Sequence, residues 1–600
     1  MAPRIEALPI KTLGFGIVIG CLVMVIIQLL IVTMMPVSVY HDPYRVLAQA
    51  DLMAAGHYTW NTTYFWRYVN NVPLAYFLSL WLRLTQLVGL STNAAVNLLN
   101  MALLDGFIGL LLTTVWQFAK RKSLLVGVFV FCAGTPFAYT YYLQVFYSDL
   151  PTMLILLIIM RIFWHWPAKT RLKRVISGAG LVLAVLLGAL IKANLIVLLP
   201  AVLIIGLMLA GKHMLKPLKL TLPILLVCTG FALSLPAAKE INQLSRYTPN
   251  DAYAFPITNW MLVGFNSQTH GKYAPQDVQH AIALPNKAAR QQYDRKLIRA
   301  RIKHLGFFGL IKLWVNKLIV LLNVQGIQNW YNGGFRAAPG WYQAHVATWQ
   351  ALTKISYTIA TWTLWVMLGM RLLIWRPNWR QPQAVSALLA ILLALGYLAF
   401  HTLLWEAEAR YGQVLLPLVW LVVATLPAPA KRVAVVRRTK LLPLAALAGL
   451  WAFIALPAMR PKLVNHVVAA QRSQLSTQYH AKPTAITAHT VLQQNVTLND
   501  RANYFSVQIH AHAHVQVSLL NRNNHHQYHL VQAGAVYKLH HDLTAGSYQI
   551  IVVNTSPTYQ PVDVVATSHY QLSVSPLVIN GQIKPTASLI YTCIEYSQGG

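Results

Sequence analysis

Eleven stretches of mostly apolar residues, separated by connections that are basic at every other turn, decide what this chain can fold into. They run 13–35, 94–118, 124–142, 150–164, 175–191, 195–210, 218–235, 352–375, 385–404, 414–426 and 441–457. About twenty such residues in helical form cross ~30 Å of hydrocarbon. The basic clusters are Lys120-Arg121-Lys122, 169–174, 212–219, 376–380 and 431–440, with Arg4 and Lys11 beside them. Basic connections stay cytoplasmic, so the amino terminus is expected inside and the carboxyl tail outside. Counting 73–90 as a further span would put Lys120 to Lys122 outside. It is therefore expected as a juxtamembrane helix on the outer face. The first segment lacks a small-residue cleavage site and reads as a retained anchor. With 56% hydrophobic and only 10% charged residues, the chain is too apolar for a soluble multidomain protein.

The expected fold class is a polytopic α-helical membrane protein of about eleven transmembrane helices, residues 1–459, with an extracytoplasmic β-sandwich domain at 460–600. It would sit in the cell membrane as a multi-pass protein. Past Pro461 the pattern changes to strand-like: Phe505, Val507, Ile509, Ala511, Ala513, Val515 and Val517 alternate with polar residues. His510, His512 and His514 then share one strand face, a spacing able to hold zinc or to form a solvated polar face. Cys593 is alone in the tail, so no disulfide framework is expected there.

Only 15 acids stand against 48 Lys and Arg, and nine of the acids (Asp42, Asp51, Asp149, Glu240, Asp251, Asp277, Asp294, Glu406, Glu408) fall at the outer face. Acids contribute little to membrane orientation, so this bias points to a use for carboxylates there. The basic excess suits anionic lipid or wall polymer and, being spread along the membrane boundary, does not imply nucleic acid. Three outer segments carry the candidates: 36–93, the long connection 236–350, and 405–411.

Asp42 follows the first span on a loop fixed by Pro36 and Pro43, a place for a solvated turn aspartate or for a general base. An Asp just beyond the first span precedes an interfacial helix that opens at Asn70-Asn71-Val72-Pro73. Tyr147-Ser148-Asp149-Leu150-Pro151 ends the outer side of the fourth span's entry, and Glu408-Ala409-Arg410-Tyr411 with Pro417 enters the tenth. Together these resemble the GT-C superfamily of membrane glycosyltransferases, which includes protein O-mannosyltransferases and the aminoarabinose transferases of lipid A. The resemblance covers most of 13–457 and departs at Asn70-Asn71, where many members have Pro-Pro.

The resemblance implies transfer of a sugar from a polyprenyl-phosphate donor to an extracytoplasmic acceptor: cell-wall polymer, lipid or protein. It implies Asp42 and Asp149 as catalytic carboxylates. Arg45, Lys192, His270, Tyr273, Glu406, Glu408, Arg410 and Tyr411 are the expected substrate-binding residues, with cations needed where the phosphate leaves. Lys192 can equally be a snorkelling lysine, and Asp149 a helix-start stabiliser. No cofactor is expected, and two isolated aspartates do not argue for a metal. The tail is expected to be accessory, since the motif-bearing loops precede Pro461. A transporter or flippase and a non-catalytic envelope assembly protein are the competing readings. Transporters place ionisable residues near the midplane, where only Asp105 falls.

Overall fold

A computed structural model describes residues 2–213, 219–426 and 465–596. Among these, nine helices are long and apolar enough to cross a membrane: Ile10–Met34, Thr92–Ala119, Asp149–Ala168, Arg171–Ile191, Ala193–Gly211, Thr221–Leu244, Lys287–Leu322, Val346–Ile374 and Gln383–Leu404. Lys122–Ala133 and Pro136–Gln144 form a further pair bent by 52°. The bend falls where Thr135 is extended ahead of Pro136, which cannot supply a helical N–H. Ala409–Thr425 is a shorter apolar helix. The eleventh expected span at 441–457, the basic stretch 431–440, the boundary at 459/460 and residues 214–218 lie outside the described residues.

The helices turn apolar side chains such as Phe15, Leu207 and Leu373 outward, as lipid-facing surfaces do. Inside, Gln28 Nε2 donates to Asp105 Oδ1 at 3.0 Å and to the Ala138 carbonyl at 3.2 Å, tying three segments together. Two pairs of the basic connections meet. Glu6 accepts from the backbone N–H groups of Lys122 and Ser123, and Lys212 lies over the Trp379 ring.

Lys287–Leu322 falls in what the sequence presents as an outer connection, and its contacts bring both of its ends to one layer. Its start is held by the Lys287 N–H on the Asp251 carbonyl, beside a loop that also meets Trp60 and Trp66. Ten residues past its end, Asn332–Phe335 pairs with Val37–Val39 at the exit of the first span. Both ends therefore lie in one layer. The helix breaks at Gly306, with φ 58° and ψ −171°, a conformation open to glycine alone at low cost. Its two limbs pack on the same short helix, Ile257–Gly264: Ile298 and Leu313 share a cluster with Leu262 and Phe265. Arg301 donates to the Leu262 carbonyl at 2.8 Å and Lys317 to the Gly264 carbonyl at 3.0 Å, each satisfying an end carbonyl of that helix. The bend presents Phe307 and Phe308, 70% and 83% exposed. The expected juxtamembrane helix is present as Val72–Gln86, packed along His41–Ala54.

The carboxyl-terminal region is strand-rich. A five-stranded sheet runs in the order His466–Gln471, Ile590–Glu595, Ala502–Gln508, Val536–Leu543, Val531–Ala533. A six-stranded sheet includes Val491–Leu498, Gly546–Val553 and Gln516–Asn521. Phe505 and Tyr591 from the first share one core with Leu492, Val517 and Ile550 from the second. The expectation of one strand across 505–517 is corrected. The chain leaves the first sheet at Gln508, turns at His512 with φ 66° and enters the second at Gln516. His510, His512 and His514 therefore do not share a strand face; His510 pairs with Asp563 at 2.9 Å.

This region is docked on the layer that holds the first-span exit. Arg472 N–H donates to Ser38 Oγ at 2.7 Å, and Ser473 Oγ donates to the Val39 carbonyl. Asp51, fully buried, accepts from the backbone N–H groups of Ser568 and His569, both at 2.8 Å.

Candidate functional site

Four of the nine acids expected at the outer face converge at this layer. Asp42 opens helix His41–Ala54, Asp149 opens Asp149–His165, and Glu406 and Glu408 precede Ala409–Gln413. Three others act as staples. Asp51 holds the tail, Asp277 receives a bidentate Arg301 at 2.7 and 2.9 Å, and Asp294 accepts from Thr258 at 2.8 Å. Glu240 and Asp251 are exposed.

Asp149 sits at the floor. Lys192 Nζ and Arg410 Nη1 both reach its carboxylate, the latter at 3.2 Å, and Tyr141 Oη donates to it at 2.9 Å. It has no exposed surface. Asp149, expected as a catalytic carboxylate, thus has its oxygens engaged by three donors, Lys192, Arg410 and Tyr141. Arg410 in turn meets Tyr411 Oη at 3.2 Å, and Tyr411 donates to Glu406 Oε1 at 2.7 Å. The rings of Tyr147, Tyr331 and Tyr411 surround the guanidinium, with centroids 5.2, 5.1 and 4.5 Å away. Its Nε is buried and has no hydrogen-bond partner among the described residues.

Asp42 lies on the more open side. Its side chain keeps 30% of its surface, against 1% for Asp149, and it pairs with Arg45 Nη1 at 3.0 Å. Arg45 is buried between Tyr64 and Tyr479, 5.2 and 4.4 Å from their centroids, and its Nε also has no partner among the described residues. The two arginines belong to one wall. Tyr64 Oη accepts from Asn71 at 2.6 Å, and Asn71 accepts from Tyr147, which faces Arg410. Asn71, where the sequence departs from Pro-Pro, is thus a buried connector.

Burial, and then the charges of Glu408 and Asp42, push the Glu406 carboxyl up to about 7. Glu408 is likewise held above the usual range by burial first, against the pull of Arg410. Asn266, Gly271 and Ala407 bring the next segment in: the Ala407 N–H donates to the Gly271 carbonyl at 2.8 Å. His270 and Tyr273 are exposed on this loop, and His270 meets Asn316 at 3.3 Å. The loop borders the site but places neither ring on Asp42 or Arg410. Gly412 allows Ala409–Gln413 to lie against the returning limb of the bent helix. A Cβ there would sit 1.8 Å from the Leu321 carbonyl oxygen.

Three contributors escape a sequence reading. Tyr479 comes from the tail, more than 400 positions from the arginine it covers. Thr63 N–H donates to its carbonyl at 2.9 Å, and Arg67 donates to the Gln478 carbonyl at 3.0 Å. The tail therefore contributes Tyr479 to this wall. Tyr331 and His41 both adopt positive φ, 53° and 58°, in the region that side chains other than glycine rarely enter. Such strain gathers at functional sites. The local cue for Tyr331 is the aromatic and glycine-rich stretch Trp330-Tyr331-Asn332-Gly333-Gly334-Phe335.

A family model, described as conserved hypothetical integral membrane protein, matches residues 6–431. The chain belongs to that family. No curated protein and no solved structure matches it. The matched residues of this conserved hypothetical integral membrane protein include Asp42, Arg45, Asp149, Lys192, Glu406, Glu408 and Arg410, while Tyr479 lies beyond them.

Proposed function

We propose that this integral membrane protein is a glycosyltransferase of GT-C type, moving a sugar from a polyprenyl-phosphate donor to a cell-envelope acceptor at the extracytoplasmic face. In this reading the membrane part has about eleven spans and the strand-rich tail is a β-sandwich that roofs the site. The observation that carries the reading is the pair of buried guanidiniums, Arg45 and Arg410. Each has an Nε–H without an acceptor among the described residues, and Arg45 pairs with the partly open Asp42 at 3.0 Å.

Leaving a buried donor unmet costs about 1–3 kcal/mol, more for a charged group. An incoming phosphate offsets that cost, because guanidinium is suited to planar, charge-assisted contact with it. The donor's lipid chain lies in the bilayer while its phosphate meets the arginines. An acceptor hydroxyl attacks the anomeric carbon, forming the new C–O bond as the bond from that carbon to phosphate oxygen breaks. The phosphate leaves with the electron pair and is held by Arg410 and Arg45. Asp42 takes the hydroxyl proton, a role open to it because its side chain keeps access to solvent. Glu406 and Glu408 hydrogen-bond the sugar, and Asp149 keeps Arg410 and Lys192 in place.

A screen of polyprenyl-phosphate sugars against the purified protein in nanodiscs tests the proposal. Release of polyprenyl phosphate from one donor class is the expected result. No release and no donor binding across the panel would reject it.

A further inference from the structure

We infer that His466, Asp500 and Glu595 form a binding site for a first-row divalent cation of the zinc class on the strand-rich tail. His466 and Glu595 face each other across neighbouring strands, His466–Gln471 and Ile590–Glu595. Asp500 enters from the turn between Val491–Leu498 and Ala502–Gln508. Each of the three offers a ligand atom, and these atoms all lie within 4.8 Å of one another.

The contacts they make with each other do not account for the arrangement. Nε2 of His466 is 3.7 Å from Asp500 Oδ2 and Nδ1 is 3.6 Å from Glu595 Oε2, both beyond hydrogen-bonding range. Two ligands on a tetrahedral ion with bonds of ~2.0–2.2 Å stand ~3.4 Å apart, so one ring nitrogen of His466 and one oxygen of each carboxylate, now within 4.8 Å of one another, close on one ion when the two carboxylates swing inward. His466 is 93% buried, from its 7% exposure, and its Nε2 has no hydrogen-bond partner among the described residues. A buried imidazole nitrogen aimed at a carboxylate without reaching it is an open ligand position.

The donor set selects the class of ion. Imidazole with carboxylates suits Zn²⁺ or Mn²⁺, whereas Ca²⁺ and Mg²⁺ favour oxygen alone. Arg501 donates to Glu595 Oε1 and leaves Oε2 free; its side chain is 79% exposed and can move away. The remaining coordination positions face a cavity of about 820 Å³, bordered by Gln343 and His345 from the membrane part and by Tyr596. The ion would thus stand at the seam where Gln343 donates to the Val468 carbonyl at 2.7 Å.

The test uses the full-length protein without a histidine tag, in nanodiscs and stripped with EDTA. Mn²⁺ uptake is read by loss of the free-ion EPR signal and Zn²⁺ binding by calorimetry. One tight ion per chain is expected, together with a rise in the thermal midpoint. Asp500→Asn, on an exposed turn, is expected to weaken binding by roughly 10-fold or more without loss of fold, and His466→Gln to abolish the tight site. The exposed histidines elsewhere on the tail serve as the internal control, since both variants keep them. Absence of tight binding in the wild type, or the same stoichiometry and affinity in Asp500→Asn and His466→Gln, would overturn the site.

Discussion

The loop region 245–322 and the membrane-boundary wall each bury guanidiniums, and they treat them in opposite ways. Arg290 gives Nε to the Ala281 carbonyl at 2.8 Å, Nη1 to Ala254 at 3.2 Å, and Nη2 to Ala252 and Leu284, both at 2.7 Å. Every nitrogen is used, so the residue is a staple for four turns of chain. Arg45 and Arg410 are buried as deeply, yet each keeps an Nε–H without an acceptor among the described residues and spends its faces on tyrosine rings. Arg67 Nη2, Arg174 Nε and Arg336 Nε are likewise unmet among the described residues, so on the proposed function it is the open Nε–H together with the tyrosine lining that sets Arg45 and Arg410 apart from Arg290.

The comparison is broken most directly by exchanging the consequences. Arg410→Ala is expected to lower transfer by on the order of 10²-fold or more, since it removes a phosphate contact and strands Asp149 beside Lys192. Arg410→Lys does not restore it, because an ammonium lacks the planar fork. Arg290→Ala should instead reduce the yield of folded protein and its thermal midpoint, with turnover per folded molecule retained. Steady-state rates normalised to active-folded protein distinguish the two. Loss of turnover in a well-folded Arg290→Ala, with Arg410→Ala spared, would reverse the assignment.

A smaller effect is expected at Tyr479. A cation–π contact of about 0.5–2 kcal/mol corresponds to roughly 2- to 30-fold in donor affinity when Tyr479→Ala uncovers Arg45. Tyr479→Phe should keep most of it. Unchanged donor binding in Tyr479→Ala would return the tail to an accessory place.

Smaller still is a pH effect from Glu406. Its folded-state pKa of about 7 stands above the 4.5 of an ordinary glutamate, so the protonated form favours the fold. That contribution is complete below about pH 4.5 and is lost as pH rises through about 7. Thermal midpoints of the wild type should therefore fall across this window more than those of Glu406→Gln. Parallel profiles would show that the carboxyl is not held as described.

A reporter at the bend is expected to leave transfer unaltered. Phe308→Trp should be quenched by brominated lipids, because Phe307 and Phe308 lead a helix that returns to its own face. Absence of quenching would place the bend in water.

The spans were legible because some twenty apolar residues in a row have few other places to go. The outer-face acids were legible as a group, but not which of them work: Asp51, Asp277 and Asp294 are spent on backbone or side-chain donors that only the fold brings near. The alternation through 505–517 misled because it persists across a turn, where the side chains pass from one sheet to the other. Gly306 carries no local signal that a 36-residue helix reverses there. Tyr479 carries none at all, since its meaning depends on a partner more than 400 positions away.

Asp42→Asn measures the central claim most directly, because it keeps the shape of the side chain and removes its basicity. Donor binding and turnover are followed on the same nanodisc preparation. The account predicts donor affinity near that of the wild type and turnover lower by on the order of 10²-fold or more. Near-normal turnover in a well-folded Asp42→Asn protein would contradict it, and with it the assignment of the wall around Arg45 and Arg410 to sugar transfer.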